Sequence, residues 1–347
     1  MILKKSILSM VFVLSASAAL SACSSAGSSG DTGAGSGKTY EIKVAHAAPA
    51  TNDRLETSLQ EFKKEVEAKS NGAIKINTFP ASQLGGEREQ IEGVQLGSLH
   101  MAAVSTGPLP GVFKDSMVFD LPFLFNNEEQ AYAVLDGPVG QELLQNMAAQ
   151  TGIRGLAWGE NGFRHFTNNI RPIQKPEDLK GLKIRTQENP LHMDMVKALA
   201  ASPTPMAFGE VYSALQQGVI DGQENPISLI ESMRFYEVNK YATLDGHVYS
   251  PYVLMINDAF YQTLPQDLQK VLADAAKNWS TVQRDLNKKQ VDAGVETLKQ
   301  KGMNIIELTD EQKEAFRNAT KSVYDKYRNE LSSGLIDKVL QAAEEAK

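Results

Sequence analysis

The sequence predicts an α/β protein of two lobes bridged by one long helix. Its 347 residues, 42% of them hydrophobic, are enough for two well-packed globular units. Segments with strand periodicity alternate with segments of helical periodicity, which is typical of a sheet covered by helices. Residues 265–301 have a proline only at their start and a glycine after their end. They therefore predict one helix much longer than the average of about 11 to 12 residues.

The N-terminal segment predicts export. Residues 1–22 place two lysines before an apolar stretch and small residues, which is the layout of a secretory signal peptide. The only cysteine, Cys23, follows Leu-Ser-Ala and resembles the lipobox of bacterial lipoproteins, so we expect its thiol to be lipidated. The alternative is ordinary cleavage that leaves a free thiol. Residues 23–38 are rich in glycine and serine and predict a flexible tether to the outer face of the cell membrane, or a periplasmic location.

The first lobe is predicted from seven alternating segments. Tyr40, Ile42 and Val44 share one face of a strand, whereas Leu55 and the apolar residues after it recur at helical spacing. A short pair, Asn71-Gly72, ends that helix. The predicted strands are residues 40–46, 73–79, 99–105 and 153–159, and the predicted helices are residues 52–70, 87–96 and 128–149.

A second set of segments continues the alternation without an internal repeat. The predicted strands are residues 163–168, 181–186, 252–257 and 304–308, and the predicted helices are residues 191–200, 210–217, 265–301 and one that opens at the capping residue Thr309.

The long helix determines how the chain is divided. Its apolar stripe changes phase half-way, so its two halves need different packing partners, and we infer that it bridges two lobes. The alternative is a pair of ordinary helices kinked near Gly294. The predicted lobe I comprises residues 39–161 and 250–287, and the predicted lobe II comprises residues 162–249 and 288–347.

The charge pattern excludes one class of partner and suggests another. A net charge of −7 without any basic run argues against nucleic-acid binding. A bound anion would need a local basic pocket. Arg164 and Arg185 lie in strand-like segments next to Gly, Asn or Pro, where ligand crevices open, and the planar fork of arginine fits a carboxylate. The alternative is that each arginine forms a surface or structural ion pair.

Two neighbouring segments add polar and aromatic candidates. Residues 222–226, "GQENP", contain no large apolar side chain, and we predict a turn that presents Asn225, whose amide can donate to a carboxylate. Phe208 comes just before a predicted helix, where it could cover a ligand or pack in the core.

Several motifs together resemble a known family. The runs "FPASQLGGERE", "NGFRHFTN", "DLKGLKIRT" and "ASPTPMAFGEVYSALQQGVIDGQENP" resemble the substrate-binding subunits of tripartite ATP-independent periplasmic (TRAP) transporters, the DctP-type receptors. The resemblance extends from about Tyr40 to the last helices. It implies a periplasmic-binding-protein-like fold with a hinge, without a cofactor or metal. Such a receptor closes around an organic acid and delivers it to small and large integral-membrane subunits driven by an ion gradient.

The resemblance also assigns roles to residues. The arginine of the "GLKIR" strand, Arg185, would form the bidentate pair with the ligand carboxylate. Arg164 would support that carboxylate, Asn225 would hydrogen-bond to it, and Phe208 would lie over the bound molecule.

The sequence departs from the sialic-acid branch of this family. Ala47 and Ser105 stand where that branch has an asparagine and a glutamate. "RTQENPLHM" instead resembles the branch for C4-dicarboxylates and sugar acids such as uronates. Ser105, Glu188 and His46 are then candidates for contacts to hydroxyl groups or a second carboxylate, although Glu188 and His46 could be merely nearby. Sialic acid and 2-oxo or hydroxy acids remain alternative ligands.

The rival function is a secreted enzyme acting on acidic sugars. The sequence has no HExxH motif and no nucleophile elbow, and its five histidines lack metal-ligand spacing. A surface adhesion module would show repeats or a β-sandwich pattern, and neither is present. The sequence therefore favours a binding protein over an enzyme.

Overall fold

The structure is a computed structural model that describes residues 38–346. The predicted signal peptide and Cys23 lie outside the described residues. The strands are β1 (Tyr40–Ala45), β2 (Ile74–Phe79), β3 (Met101–Ser105), β4 (Ile153–Asn168), β5 (Lys183–Thr186), β6 (Ser202–Pro205), β7 (Gly222–Pro226), β8 (Tyr241–Asn257) and β9 (Asn304–Glu307). The α-helices are α1 (Arg54–Lys69), α2 (Glu87–Leu96), α3 (Glu128–Asp136), α4 (Pro138–Thr151), α5 (Pro190–Ala198), α6 (Val211–Gln216), α7 (Ile227–Ser232), α8 (Asp258–Thr263), α9 (Gln266–Gln300), α10 (Asp310–Ala319), α11 (Lys321–Arg328) and α12 (Leu335–Glu345).

All nine strands join one mixed sheet in the order β2-β1-β3-β8-β4-β7-β5-β6, with β9 beside β8. Two antiparallel strands, β4 and β8, run through its centre from Ile153 opposite Asn257 to Asn168 opposite Tyr241. One end of β8 pairs with β3, and its other end pairs with β9. The long strands β4 and β8 therefore connect a half built on β1–β3 with a half built on β5–β7.

Helices cover both faces of this sheet, as the alternation of segments predicts. Alternate residues of β8 enter two different cores: Leu254 belongs to one cluster of buried side chains, whereas Val253 and Met255 belong to the other. Because successive side chains of a strand point to opposite faces, the two clusters lie on opposite sides of the sheet. The predicted α/β class is confirmed.

Three predicted elements have different limits in the structure. The helix predicted over residues 128–149 is wrong, because Gly137 separates α3 from α4 and Pro138 opens α4. Proline lacks the backbone N–H that a continuing helix needs, but it suits a first helical turn. The strands predicted over residues 153–159 and 163–168 form one strand, β4, and the strand predicted from residue 252 starts at Tyr241.

The turn predicted at residues 222–226 is also wrong. These residues form β7, which pairs with β4 and β5, and all of them are buried. Their polar side chains find partners inside the protein: Gln223 Nε2 donates to Thr167 Oγ1 at 2.7 Å, Asn225 donates to Gln223, and Glu224 accepts from Arg164. Burial is possible because each polar group recovers in the protein the hydrogen bond that it loses from water.

The long helix α9 is continuous over 35 residues, so the alternative of two kinked helices is not observed. Its first half packs against α1 and β4, and the Trp279 indole donates to Ser58 Oγ at 2.9 Å. Its second half packs against α7, where Gly294 approaches Ile227. The two phases of the apolar stripe therefore correspond to two packing partners.

The predicted limits of the two lobes stay a prediction. Helix α12, which that prediction assigns to lobe II, packs against α3 and α4, which it assigns to lobe I. Lys338 of α12 also lies 3.5 Å from Glu142 of α4. Within residues 38–346, no helix combines the length and the apolar character needed to cross a membrane.

We expect Gly294→Ala to destabilise the protein. A Cβ atom at this position would lie 2.6 Å from Ile227 Cγ2, and such overpacking costs about 1 to 3 kcal/mol. The gain in helix propensity offsets only about 1 kcal/mol of this loss. Unfolding in urea measures the difference in the free energy of unfolding between wild type and variant. Ala293→Gly, at the exposed neighbouring position, measures the contribution of helix propensity alone. An increase in the free energy of unfolding would contradict the close packing of α7 on α9.

Candidate ligand-binding site

A small cavity lies next to the long central strands β4 and β8. Its volume is about 10 Å³, which is about the space of one water molecule. Its walls come from residues that the sequence analysis assigns to both lobes: Ala47, Ala48, Glu87, Ser105, Asn161, Gln187, Phe208, Asn225, Leu229 and Tyr252. An organic acid can enter this cavity only if the walls move apart.

Three of the predicted site residues line this cavity. Ser105 Oγ accepts a hydrogen bond from Gln187 Nε2 at 2.7 Å. Asn225 lies on β7 and its side-chain amide donates to Gln223. The Phe208 ring packs edge-on against Phe235, with 6.2 Å between the ring centroids. The structure therefore brings together a hydroxyl, an amide and an aromatic ring that are far apart in the sequence.

Arg185 lies at the end of β5, and its guanidinium group is buried beside Phe208. Its Cζ atom is 6.0 Å from the centroid of the Phe208 ring. Nε and Nη2 both donate to the Met206 carbonyl oxygen, at 3.0 and 2.7 Å. Nη1 is buried without a hydrogen-bond partner among the described residues. Burial lowers the pKa of Arg185 to about 10, partly offset by the charge of Glu224, so the side chain stays cationic at neutral pH.

Arg164 lies on β4 and forms a buried ion pair with Glu224. Its Nε and Nη2 donate to the two carboxylate oxygens, and Nη2 also donates to the Glu224 backbone oxygen at 2.6 Å. Its Nη1 has no partner among the described residues. The structural ion pair that the sequence left open as an alternative is present, and the support of a ligand by Arg164 stays a prediction.

The ion pair continues into a buried charged network. His247 Nε2 lies 3.5 Å from Glu224, its Nδ1 lies 2.7 Å from Asp245, and its ring stacks on Phe166. Burial alone would raise the pKa of Glu224, but Arg164 and His247 hold it well below its usual range. Burial alone would lower the pKa of His247, but Asp245 and Glu224 raise it to about 9. Positive and negative charges therefore alternate from Arg164 to Asp245.

Four predicted site residues do not line the cavity: Arg164 and Arg185, which lie behind its wall, and also His46 and Glu188. The ring of His46 is buried, and its Nε2 lies 2.7 Å from Glu56 Oε2. Glu188 is partly exposed beside a separate surface pocket, 3.6 Å from Arg88 Nη1. The proposed ligand contacts of His46 and Glu188 stay predictions that this geometry does not favour.

Four polar lining residues were not predicted from the sequence. Glu87, at the start of α2, accepts from Ser105 N at 2.7 Å and from Ser105 Oγ at 2.8 Å. Gln187, Asn161 and Tyr252 complete the polar wall. The glutamate that directly follows Gly85-Gly86 is the sequence signal that could have indicated this group. Among residues 38–346, no group of three His, Cys, Asp or Glu side chains could hold a metal ion.

Comparison with known proteins identifies the family. The sequence model of DctP, bacterial extracellular solute-binding protein, family 7, matches residues 44–330. The chain belongs to this family. It is 36% identical over 308 residues to the C4-dicarboxylate-binding periplasmic protein DctP of Rhodobacter capsulatus, covering 88% of this chain and 91% of that one. It is 34% identical over 267 residues to the 2,3-diketo-L-gulonate-binding periplasmic protein YiaO of Escherichia coli, covering 77% and 80%.

Solved structures of relatives have the same fold. A TRAP periplasmic solute binding protein from Polaromonas sp. JS666, bound to D-erythronate, is 42% identical with a TM-score of 0.84, covering 87% of this chain and 98% of that one. The sugar acid binding protein DctPAm from Advenella mimigardefordensis, in complex with galactonate, is 33% identical with a TM-score of 0.87, covering 90% and 100%. The predicted family and the predicted two-lobed fold class are confirmed.

We expect His247 to stabilise the fold in a pH-dependent way. Its folded pKa of about 9 exceeds the unfolded value of about 6.5, so its contribution is complete below pH 6.5 and is lost as the pH rises through 9. The difference in the free energy of unfolding between wild type and His247→Gln should therefore shrink from pH 6 to pH 9.5. Urea unfolding at several pH values measures it. His100→Gln is the control. Because burial lowers the pKa of His100, the difference in the free energy of unfolding between wild type and His100→Gln should not fall between pH 6.5 and pH 9.5. A constant difference for His247 would contradict the charged state of this network.

Proposed function

We propose that the protein is the extracytoplasmic receptor of a TRAP transporter. In this proposal it binds a C4-dicarboxylate or a sugar acid such as a uronate and delivers it to the small and large membrane subunits. The observation that carries the proposal is a pair of buried arginines, Arg164 and Arg185, behind the wall of a polar cavity. Each has one nitrogen without a partner among the described residues. The acids named for the relatives, erythronate and galactonate, have the carboxylate that such nitrogens bind.

The geometry of Arg185 supports one orientation of that carboxylate. Nε and one hydrogen of Nη2 are used by the Met206 carbonyl. Nη1 and the second hydrogen of Nη2 form the remaining side of the fork, and a carboxylate bridges these two nitrogens with two parallel hydrogen bonds. The Glu224 ion pair leaves Arg164 with Nη1 for the same ligand. Asn225 can then donate to a carboxylate oxygen, and Phe208 can cover the bound molecule.

Binding and closure of the lobes are linked in this mechanism. The bond between Gln187 and Ser105 joins residues assigned to different lobes, so the cavity walls separate when it breaks. The contact is tight at Gly107, where a Cβ atom would lie 2.4 Å from Gln187 Cδ. A ligand that bridges both walls stabilises the closed form by the difference between its affinities for the two forms. Closure also removes water from the arginine–carboxylate pair, which strengthens it.

The proposal is a receptor rather than an enzyme, because the family is one of extracellular solute-binding proteins. Among the described residues of the cavity wall, Ser105 supplies the aliphatic hydroxyl group, which lies between Glu87 and Gln187. In this proposal the ligand is bound and released unchanged. Turnover of a bound sugar acid by the purified protein would favour the enzymatic alternative.

We expect Arg185→Ala to weaken ligand binding by about 3 to 5 kcal/mol, because it leaves a buried carboxylate unpaired. Arg185→Lys should also bind poorly, because an ammonium group cannot form the fork. A thermal-shift screen with D-erythronate, galactonate, galacturonate and succinate finds a ligand, and calorimetry then measures its affinity. Lys183→Ala is the matched control, since Lys183 is exposed on the same strand. An unchanged affinity in Arg185→Ala would remove Arg185 from the site.

Anchoring of the mature chain is part of the same proposal. Cleavage after residue 22 and lipidation of Cys23 would tether the receptor by residues 23–38 to the outer face of the membrane. We expect the wild-type protein from membranes to partition into the detergent phase of a Triton X-114 extract, and Cys23→Ser to move to the aqueous phase. Ser25→Ala is the control and should behave as wild type. A wild-type protein found only in the aqueous phase would rule out the lipid anchor.

A further inference from the structure

Glu87 is a partly buried residue whose carboxyl group lies in the wall of the ligand cavity. It opens α2, and its two oxygens accept three hydrogen bonds: from Ser105 N at 2.7 Å, from Ser105 Oγ at 2.8 Å and from Gln187 Nε2 at 3.5 Å. These partners hold the group in a single orientation. The side chain faces the cavity, although no residue of opposite charge forms an ion pair with it in the described part of the chain.

We infer that Glu87 selects the class of ligand: hydroxylated monocarboxylic acids bind, and dicarboxylic acids are disfavoured. This inference rests on the proposed function and narrows it. Two features of the cavity wall support it: the negative charge of Glu87 and a buried acceptor on Gln187 that lacks a donor.

The negative charge of Glu87 disfavours a second ligand carboxylate. The charged and titratable groups that act on Glu87 come from the neighbouring strands: Arg164 on β4, Arg185 on β5 and Tyr252 on β8. Arg164 is already paired with Glu224, and Arg185 is the arginine proposed to bind the first carboxylate of the ligand. A second carboxylate beside Glu87 would place two negative charges together in the cavity wall, which is costly.

The hydrogen-bond pattern of the wall favours hydroxyl groups. Gln187 Oε1 is buried and accepts no hydrogen bond among the described residues. Glu87 is also an acceptor on the same wall, and only a ligand group that carries a hydrogen can satisfy both. Hydroxyl groups beside the ligand carboxylate supply such hydrogens, whereas an ionised second carboxylate supplies none. An unsatisfied buried acceptor costs free energy, so the wall discriminates by chemistry as well as by charge.

Glu87→Gln tests this inference, because it removes the charge and keeps the shape. Calorimetry at pH 7.5 with D-erythronate, galactonate and succinate gives the ratio of affinities for a hydroxy monoacid and a dicarboxylate. We expect wild type to bind at least one hydroxy monoacid about 100-fold more tightly than succinate, since like charges placed together cost several kcal/mol. Glu87→Gln should reduce this ratio by about 10-fold or more. Glu92→Gln, an exposed glutamate on the same helix, is the control and should leave the ratio unchanged.

Equal binding of succinate and the hydroxy monoacids, or an unchanged ratio in Glu87→Gln, would each overturn the selection by Glu87 while the receptor function stands. A wild-type protein that binds none of the acids would instead overturn the proposed function, and this inference with it.

Discussion

The buried pair of Arg164 and Glu224 is the constraint on which the rest of the site depends. Burial of the Arg164 guanidinium group away from water costs free energy, which the facing carboxylate of Glu224 offsets, so Glu224 lies beside β4. The antiparallel pairing of β4 with β7 meets this requirement, because Arg164 lies opposite Pro226 and Phe166 lies opposite Glu224. His247 and Asp245 extend the alternation of charges along β8. Asn225, next to Glu224, is thereby held at the cavity.

The long strands β4 and β8 place the cavity where the two halves of the sheet meet. Successive residues of β4 point to opposite faces, so Asn161 lines the ligand cavity while Glu160 lines a larger groove on the other face. The helix α9 is tied to the same strand, since Gln283 Nε2 donates to the Glu160 carbonyl oxygen at 2.7 Å. Any movement of one half against the other therefore changes both the cavity and the packing of α9.

Local sequence patterns were sufficient to predict most strands and helices, and they failed at residues 222–226 and at Gly137. The strand at residues 40–45 and the helix over residues 54–69 follow from apolar periodicity, because one face of each packs in the core. Residues 222–226 were mistaken for a turn, since polar side chains normally indicate exposure and their buried partners are distant in sequence. The break at Gly137 was missed because α3 and α4 have continuous apolar patterns on both sides of it.

The sequence by itself determined the α/β class, the long helix and the family, because these depend on periodicity and on motifs within short segments. It also indicated Arg185, Phe208, Ser105 and Asn225 as candidates. Only the tertiary structure decided that Arg164 is paired with Glu224, that His46 and Glu188 lie away from the cavity, and that Glu87 and Gln187 form its wall. The physical reason is that pairing and burial of polar groups depend on contacts between strands and helices far apart in the chain, which local patterns do not contain.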